Sequence, residues 1–270
     1  MQRCNSFAVV VGSLAACLIT TNSQAQSAFT GFYGQISTGY ESNQLGSLSG
    51  SATNTPNQKT DTNRSGSSQT FGGAPLVLGI GYYWQANDKW LIGVGADYSA
   101  LSQTTSPMSV SNTNAVGNNS ILSGETATSN GSLQLSNRFN LFITPAYAID
   151  KDKLVYIKAG YSQVTAQYNR ATSLTRTANS VSTTTAATGG SQSSNQGGYL
   201  IGLGYKQIIT SGLYGFVEGN YMGYSAPSYS YSTYSPAAVS LGRSASARTV
   251  TTSFASLNSF QALIGLGYAF

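Results

Sequence analysis

The 270-residue chain contains no histidine. That removes the commonest catalytic base and the commonest metal ligand together, and with them any Ser-His hydrolytic pair. Cysteine is nearly absent. Both cysteines, Cys4 and Cys17, lie near the N-terminus, so the rest of the chain has neither a disulfide nor a thiolate metal site. Charge is scarce: 8% of residues are Asp, Glu, Lys or Arg, against roughly a quarter in a soluble domain. Beyond the N-terminus no apolar run approaches the ~20 residues of a membrane-spanning helix. The net charge of +5 is scattered, which argues against nucleic acid as a partner. No metal site and no cofactor is expected.

The N-terminus reads as a secretory signal. Arg3 supplies a short positive region, Phe7 to Ile19 is largely apolar, and Ser23-Gln24-Ala25 forms a small-x-small cleavage site. Residues 1–25 are then the signal peptide and 26–270 a single domain, whose net charge falls to +4 with the loss of Arg3. Leu14-Ala15-Ala16-Cys17 also resembles a lipoprotein box, in which Cys17 would be acylated. The apolar run continues through Leu18-Ile19, which favours cleavage after Ala25.

What the chain does have is alternation, with 30 glycines and 18 tyrosines woven into it. In the last eleven residues Phe260, Ala262, Ile264, Leu266, Tyr268 and Phe270 share one parity, and the other is mostly small. Period two means a strand with one greasy face. Eight such segments are expected: Gly31–Glu41, Phe71–Trp84, Trp90–Ser102, Ser132–Ile149, Leu154–Asn169, Gly198–Ile208, Leu213–Tyr224, and a last one ending at Phe270. Three connections are tight (85–89, 150–153 and 209–212) and carry Asn-Asp, Asp-Lys-Asp and Ser-Gly turn chemistry. Four are long and rich in Ser, Thr, Asn and Gly, at about 42–70, 103–131, 170–197 and 225–253. Long and short alternate, so the pattern predicts an all-β, eight-stranded antiparallel up-and-down transmembrane barrel with its short turns at one rim and long loops at the other.

Parity assigns the side chains. Trp84, Trp90, Tyr147, Tyr205, Tyr268 and Phe270 fall near the short-turn rim, where an aromatic girdle is expected; Tyr214 lies at the same level. Asp97, Arg138, Lys158, Lys206 and Glu218 point inward as a charge network, paired or hydrated because an isolated buried charge is costly. Such a network either fills and closes the lumen or forms the constriction of a narrow pore. An eight-stranded barrel is about wide enough for side chains alone. Asp97, Glu125 and Glu218 form no recognisable catalytic pair, and Asp150 and Asp152 are turn residues, so no catalytic residue is assigned.

Several short segments carry a family likeness: Gly-Leu-Gly-Tyr at 202–205 and 265–268, Tyr214-Gly-Phe-Val-Glu-Gly-Asn-Tyr221, Pro145-Ala-Tyr147 before a turn, Lys158-Ala-Gly-Tyr161 and the terminal Tyr-x-Phe. With them the chain resembles the small outer-membrane β-barrel proteins of Gram-negative bacteria, of the outer membrane protein A transmembrane type and related porin-like barrels, over roughly residues 29 to 270. The resemblance implies residence in the outer membrane among its lipid and lipopolysaccharide. It also implies delivery to the barrel-assembly machinery through the C-terminal strand. The chain stops at the eighth strand, so the peptidoglycan-binding domain of some relatives is not carried over.

The expected function is a structural or surface-interaction protein, working through four long extracellular loops on a ligand or host surface. A narrow porin-like channel for ions or small solutes is the alternative. A soluble lipocalin-like binder would place its large apolar residues inside, opposite to the parity read here. In the fourth loop Tyr229, Tyr231 and Tyr234 alternate with serines, a composition suited to adaptable contacts. The other reading is that the seventh strand continues beyond the membrane with its tyrosines stacked towards the eighth. Lys59, Asp61, Arg64, Arg243 and Arg248 put charge in the first and fourth loops, where cations could touch lipopolysaccharide.

Overall fold

The computed structural model describes residues 27–54, 60–114, 125–235 and 246–270. The signal segment with Cys4 and Cys17, together with Lys59 and Arg243, lies outside the described residues. Seventeen strands, β1 to β17 in chain order, fall within them. Eight form the membrane ring: β1 (Gly31–Leu45), β5 (Leu76–Gln85), β6 (Trp90–Ser99), β9 (Glu125–Asp150), β10 (Lys153–Arg170), β13 (Gly190–Thr210), β14 (Leu213–Tyr224) and β17 (Leu257–Ala269). Each pairs antiparallel with the next. The ring closes where β1 meets β17, from Tyr33↔Ala269 to Leu45↔Leu257. An up-and-down order with closure leaves no free edge, which is what hydrocarbon demands of a backbone.

The alternation decides which face is which. Ile80 and Leu203 are 67% and 69% exposed, and Ile36, Ile143, Ile157, Val217 and Ile264 are exposed beside them around the ring. Such a continuous apolar belt is untenable in water and is the expected lipid face of a barrel. At the turn end Trp84, Trp90, Tyr268 and Phe270 are exposed, and Tyr147 and Tyr205 are half-buried. Trp90 packs edge-on to Tyr147, and Tyr268 on Phe270. Tyr214 departs from this group: it is fully buried and points into the lumen, because Leu213 and Gly215 hold the opposite parity. At the far end the belt stops at a second set of exposed aromatics that includes Tyr98, Phe139, Tyr161, Tyr199, Tyr221 and Phe260. Beyond Tyr161 the residues of the same parity on β10 are Gln163, Thr165, Gln167 and Asn169.

The short turns are held locally. Asn87 Oδ1 accepts the amides of Lys89 and Trp90, and Asp150 Oδ1 accepts that of Asp152. Gly212 takes φ +84°, where a β-carbon would be strained.

The four long connections correct the sequence reading. Within the described residues they are largely strand: β2 (Leu48–Asn54), β3 (Thr60–Gly66), β4 (Gln69–Gly73), β7 (Gln103–Thr104), β8 (Met108–Asn114), β11 (Ser173–Ala178), β12 (Val181–Ala186), β15 (Ser228–Ser235) and β16 (Ser246–Phe254). They continue the ring outward as a ladder β15–β16–β2–β3–β8–β9–β11–β12. Serine and threonine, read as loop formers, here pair hydroxyl to hydroxyl across strands: Thr53 with Thr60, Thr175 with Thr184, Thr177 with Ser182, and Ser228 with Ser253. β-Branched threonine suits a pleated surface, and such pairs stabilise a sheet where no hydrophobic face is visible in the sequence. Among the described residues no backbone ladder joins β12 to β15. The wall has a seam there that continues between the outer part of β13 and β15, where Gln192 of β13 donates to the Ser230 carbonyl.

Candidate functional site: the barrel interior and its outer extension

The lumen is filled in layers. Nearest the turns lies an aromatic basket of Tyr33, Tyr83, Tyr156, Tyr214 and Phe216. The rings occupy space left by glycine. A β-carbon at Gly81 would meet Tyr33, at Gly204 Tyr156, and at Gly267 Tyr214. Small and large residues thus alternate across the interior to fit its taper. Lys206 Nζ sits within this basket, 4.0 Å from the Tyr33 ring centre and 4.8 Å from that of Tyr214, and donates to Gln35 Oε1 at 3.1 Å. Ring quadrupoles stand where a carboxylate would ordinarily be.

The next layer is ionic. Lys158, 1% exposed, donates to Asp97 at 2.7 Å and to Glu218 at 2.9 Å. Tyr156 and Asn220 complete Glu218, each at 2.7 Å, and Asn140 bonds Asp97. Above it Arg138 pairs with Glu41 and donates to Tyr224, Asn43 and Ser259. Gln261 and Asn43 donate to Glu41. All six basic and acidic side chains, three lysine or arginine and three carboxylate, are buried. For Lys158, Arg138 and the three carboxylates desolvation is offset by short pairing and by neutral donors on the remaining lone pairs, while Lys206 has only Gln35, Tyr214 and the rings around it.

A third layer caps the others: Leu45, Leu133, Leu135, Val164, Leu200, Met222 and Leu257 pack across the lumen. The space between Glu41, Arg138, Leu135 and Val164 has no room for a water molecule. A concavity of about 920 Å³ is bounded mainly by belt residues such as Ile157, Leu203 and Ile264, on the lipid side.

Asp97, Lys158 and Glu218 come together directly, while Lys206 and Arg138 sit in separate layers below and above them. Sequence reading missed Glu41, although it alternates with outward-facing Tyr40 and could have been assigned inward on that ground. The tyrosines of the fourth connection divide. Tyr229 is a correction: it is buried, stacks on Tyr168 with ring centres 5.6 Å apart, and donates to the Ala166 carbonyl, so it presents no contact surface. The stacking is towards β10, not the last strand. Tyr231 is half-buried with the Arg170 guanidinium 4.7 Å over its ring, and Tyr234 is 63% exposed. Arg64 and Arg248, read as surface loop cations, are buried inside the extension. Burial pushes the Tyr168 hydroxyl up to about 12, while Arg64 and Arg170 nearby pull the other way.

No family model matches the chain, and no curated protein matches it. Similar solved structures are Gram-negative barrels. The outer membrane protease OmpT from Escherichia coli is 11% identical, with a TM-score of 0.44 over 92% of this chain and 99% of that one. The outer membrane protein OprG from Pseudomonas aeruginosa is 13% identical, with 0.39 over 89% and 96%. Ail, the attachment invasion locus protein of Yersinia pestis, is 12% identical, with 0.31 over 86% and 99%. The closed ladder of this chain defines its architecture independently of these likenesses.

Proposed function

We propose that the protein is a non-enzymatic outer-membrane anchor whose closed barrel holds a strand-built extension at the cell surface, and that the extension is the working part. The single observation behind this reading is the filled lumen: buried ion pairs of Lys158 with Asp97 and Glu218 and of Arg138 with Glu41, an aromatic basket around Lys206, and an apolar layer that seals them. Outer-membrane lipid and lipopolysaccharide contact the belt. The C-terminal strand, with Phe270 exposed beside Tyr268, addresses the barrel-assembly machinery. The extracellular face engages a ligand or a host surface.

Planar-bilayer recording of the purified protein tests the closed lumen against a narrow channel. Silence over hours at moderate voltage is expected. Steady single-channel steps whose size changes in Glu218→Gln or Lys206→Gln would replace the anchor with the channel.

A further inference from the structure

Inside the extension, far from the membrane network, Arg64 of β3, Arg170 of β10 and Arg248 of β16 line one cleft of about 40 Å³. Ser129, Ser173 and Thr233 are among the other lining residues, and no carboxylate is among the described residues that line it. Arg64 is 7% exposed and its Nε has no hydrogen-bond partner. Arg170 is set in place by Tyr231 below it, and its guanidinium fills the space beside Gly190. Guanidinium groups are fork-shaped donors matched to tetrahedral oxyanions, and hydroxyls complete such a site. The cleft has room for about three waters, or for one such group. Ala187 and Thr188 on one side, and Thr233 and Tyr234 on the other, bring it to the unladdered seam between β12 and β15, which gives an entry from outside.

We propose that this cleft binds the phosphate or sulfate monoester group of a soluble ligand. The proposal rests on the extension being the working part of the protein, and it names the ligand class. Height separates a soluble source from a lipid one. Arg170 lies nine residues beyond Tyr161, the last aromatic of the lipid belt on β10. At about 3.3 Å per residue and a tilt near 40°, that places the cleft roughly 20 Å above the bilayer edge, out of reach of headgroup phosphates at the interface.

The test is isothermal titration of the mature chain in detergent at low salt, with glucose 6-phosphate, glucose 6-sulfate and glucose. Saturable one-to-one binding of both esters and none of glucose is expected. Arg64→Gln should weaken it tenfold or more, and exposed Lys89→Gln at the opposite rim should leave it unchanged. Should Arg64→Gln fail to give the circular dichroism of the folded barrel, Arg170→Gln serves, with the same loss expected. Repeating the titration in phosphatidylglycerol and phosphatidylcholine nanodiscs separates the sources, equal affinity being expected. Three results would each overturn the proposal: no saturable binding of either ester, equal affinity in the arginine variants, or displacement by phosphatidylglycerol alone. Bilayer silence or conductance is read separately, so failure here is distinguishable from failure of the anchor.

Discussion

The membrane ring and the extension are built by the same ladder, yet they sort their side chains in opposite senses. In the ring the aliphatic residues face out and the ionised ones face in; Ile143 and Leu141 on β9 are exposed, and Lys158 on β10 is not. In the extension Met108, Val110, Tyr168, Tyr229 and Phe254 face in, and hydroxyl and amide side chains face out. The difference lies in the surrounding medium. Where hydrocarbon wets the wall, polarity collects in the middle; where water does, the ordinary soluble arrangement returns.

The largest effect expected from disturbing this contrast is at Lys158. Lys158→Met leaves Asp97 and Glu218 buried and facing each other, and should cost roughly 3–5 kcal/mol in urea unfolding from lipid vesicles. The triple replacement Lys158→Met, Asp97→Asn, Glu218→Gln should recover most of that loss, since it removes all three charges together. Next is a charge on the outer wall. Ile157→Arg, in mid-belt, should cost about 2–4 kcal/mol. Asn130→Arg, exposed on the extension, should stay within about 0.5 kcal/mol in the same assay. Equal penalties at the two positions would mean that one solvent surrounds both regions. Gly204→Ala should cost about 1–3 kcal/mol because its methyl group collides with the Tyr156 ring, and Tyr156→Leu should relieve part of it.

The smallest effect is at the turn rim. The Lys153 ammonium and the Asp152 amide hold the Asp150 carboxyl below its usual 3.8. A depressed carboxylate stabilises the fold above its unfolded value, and the contribution disappears as pH falls through the lower folded value. Asp150→Asn should remove a small stabilising contribution present at pH 7 and make no difference once the pH has fallen below the lowered value, as followed by urea unfolding at a series of pH values.

The ring was legible because hydrocarbon enforces period two on it. Leu76, Leu78, Ile80 and Tyr82 announce their face, and Asn87, Asp150 and Gly212 mark the turns. The extension was not. Stretches such as Thr183-Thr184-Thr185 are polar on both parities, so alternation carries no signal, and only cross-strand hydroxyl pairing reveals a sheet. The same blindness hid the arginine cleft. Arg64, Arg170 and Arg248 lie on three separate connections, and only the ladder through β2 and β16 and its return along β9 bring them to one space.

Several staves, such as β1 at Gly46–Ser47, break between bilayer and exterior, but β9 runs through all 26 of its residues as one strand. It is laced to β6 and β10 below and to β8 and β11 above. A pull on the outer tip therefore has a continuous mast to travel along, about 85 Å of unbroken chain. The tip cannot nod freely at the bilayer edge, and its outermost strands stay at a set stand-off from the membrane.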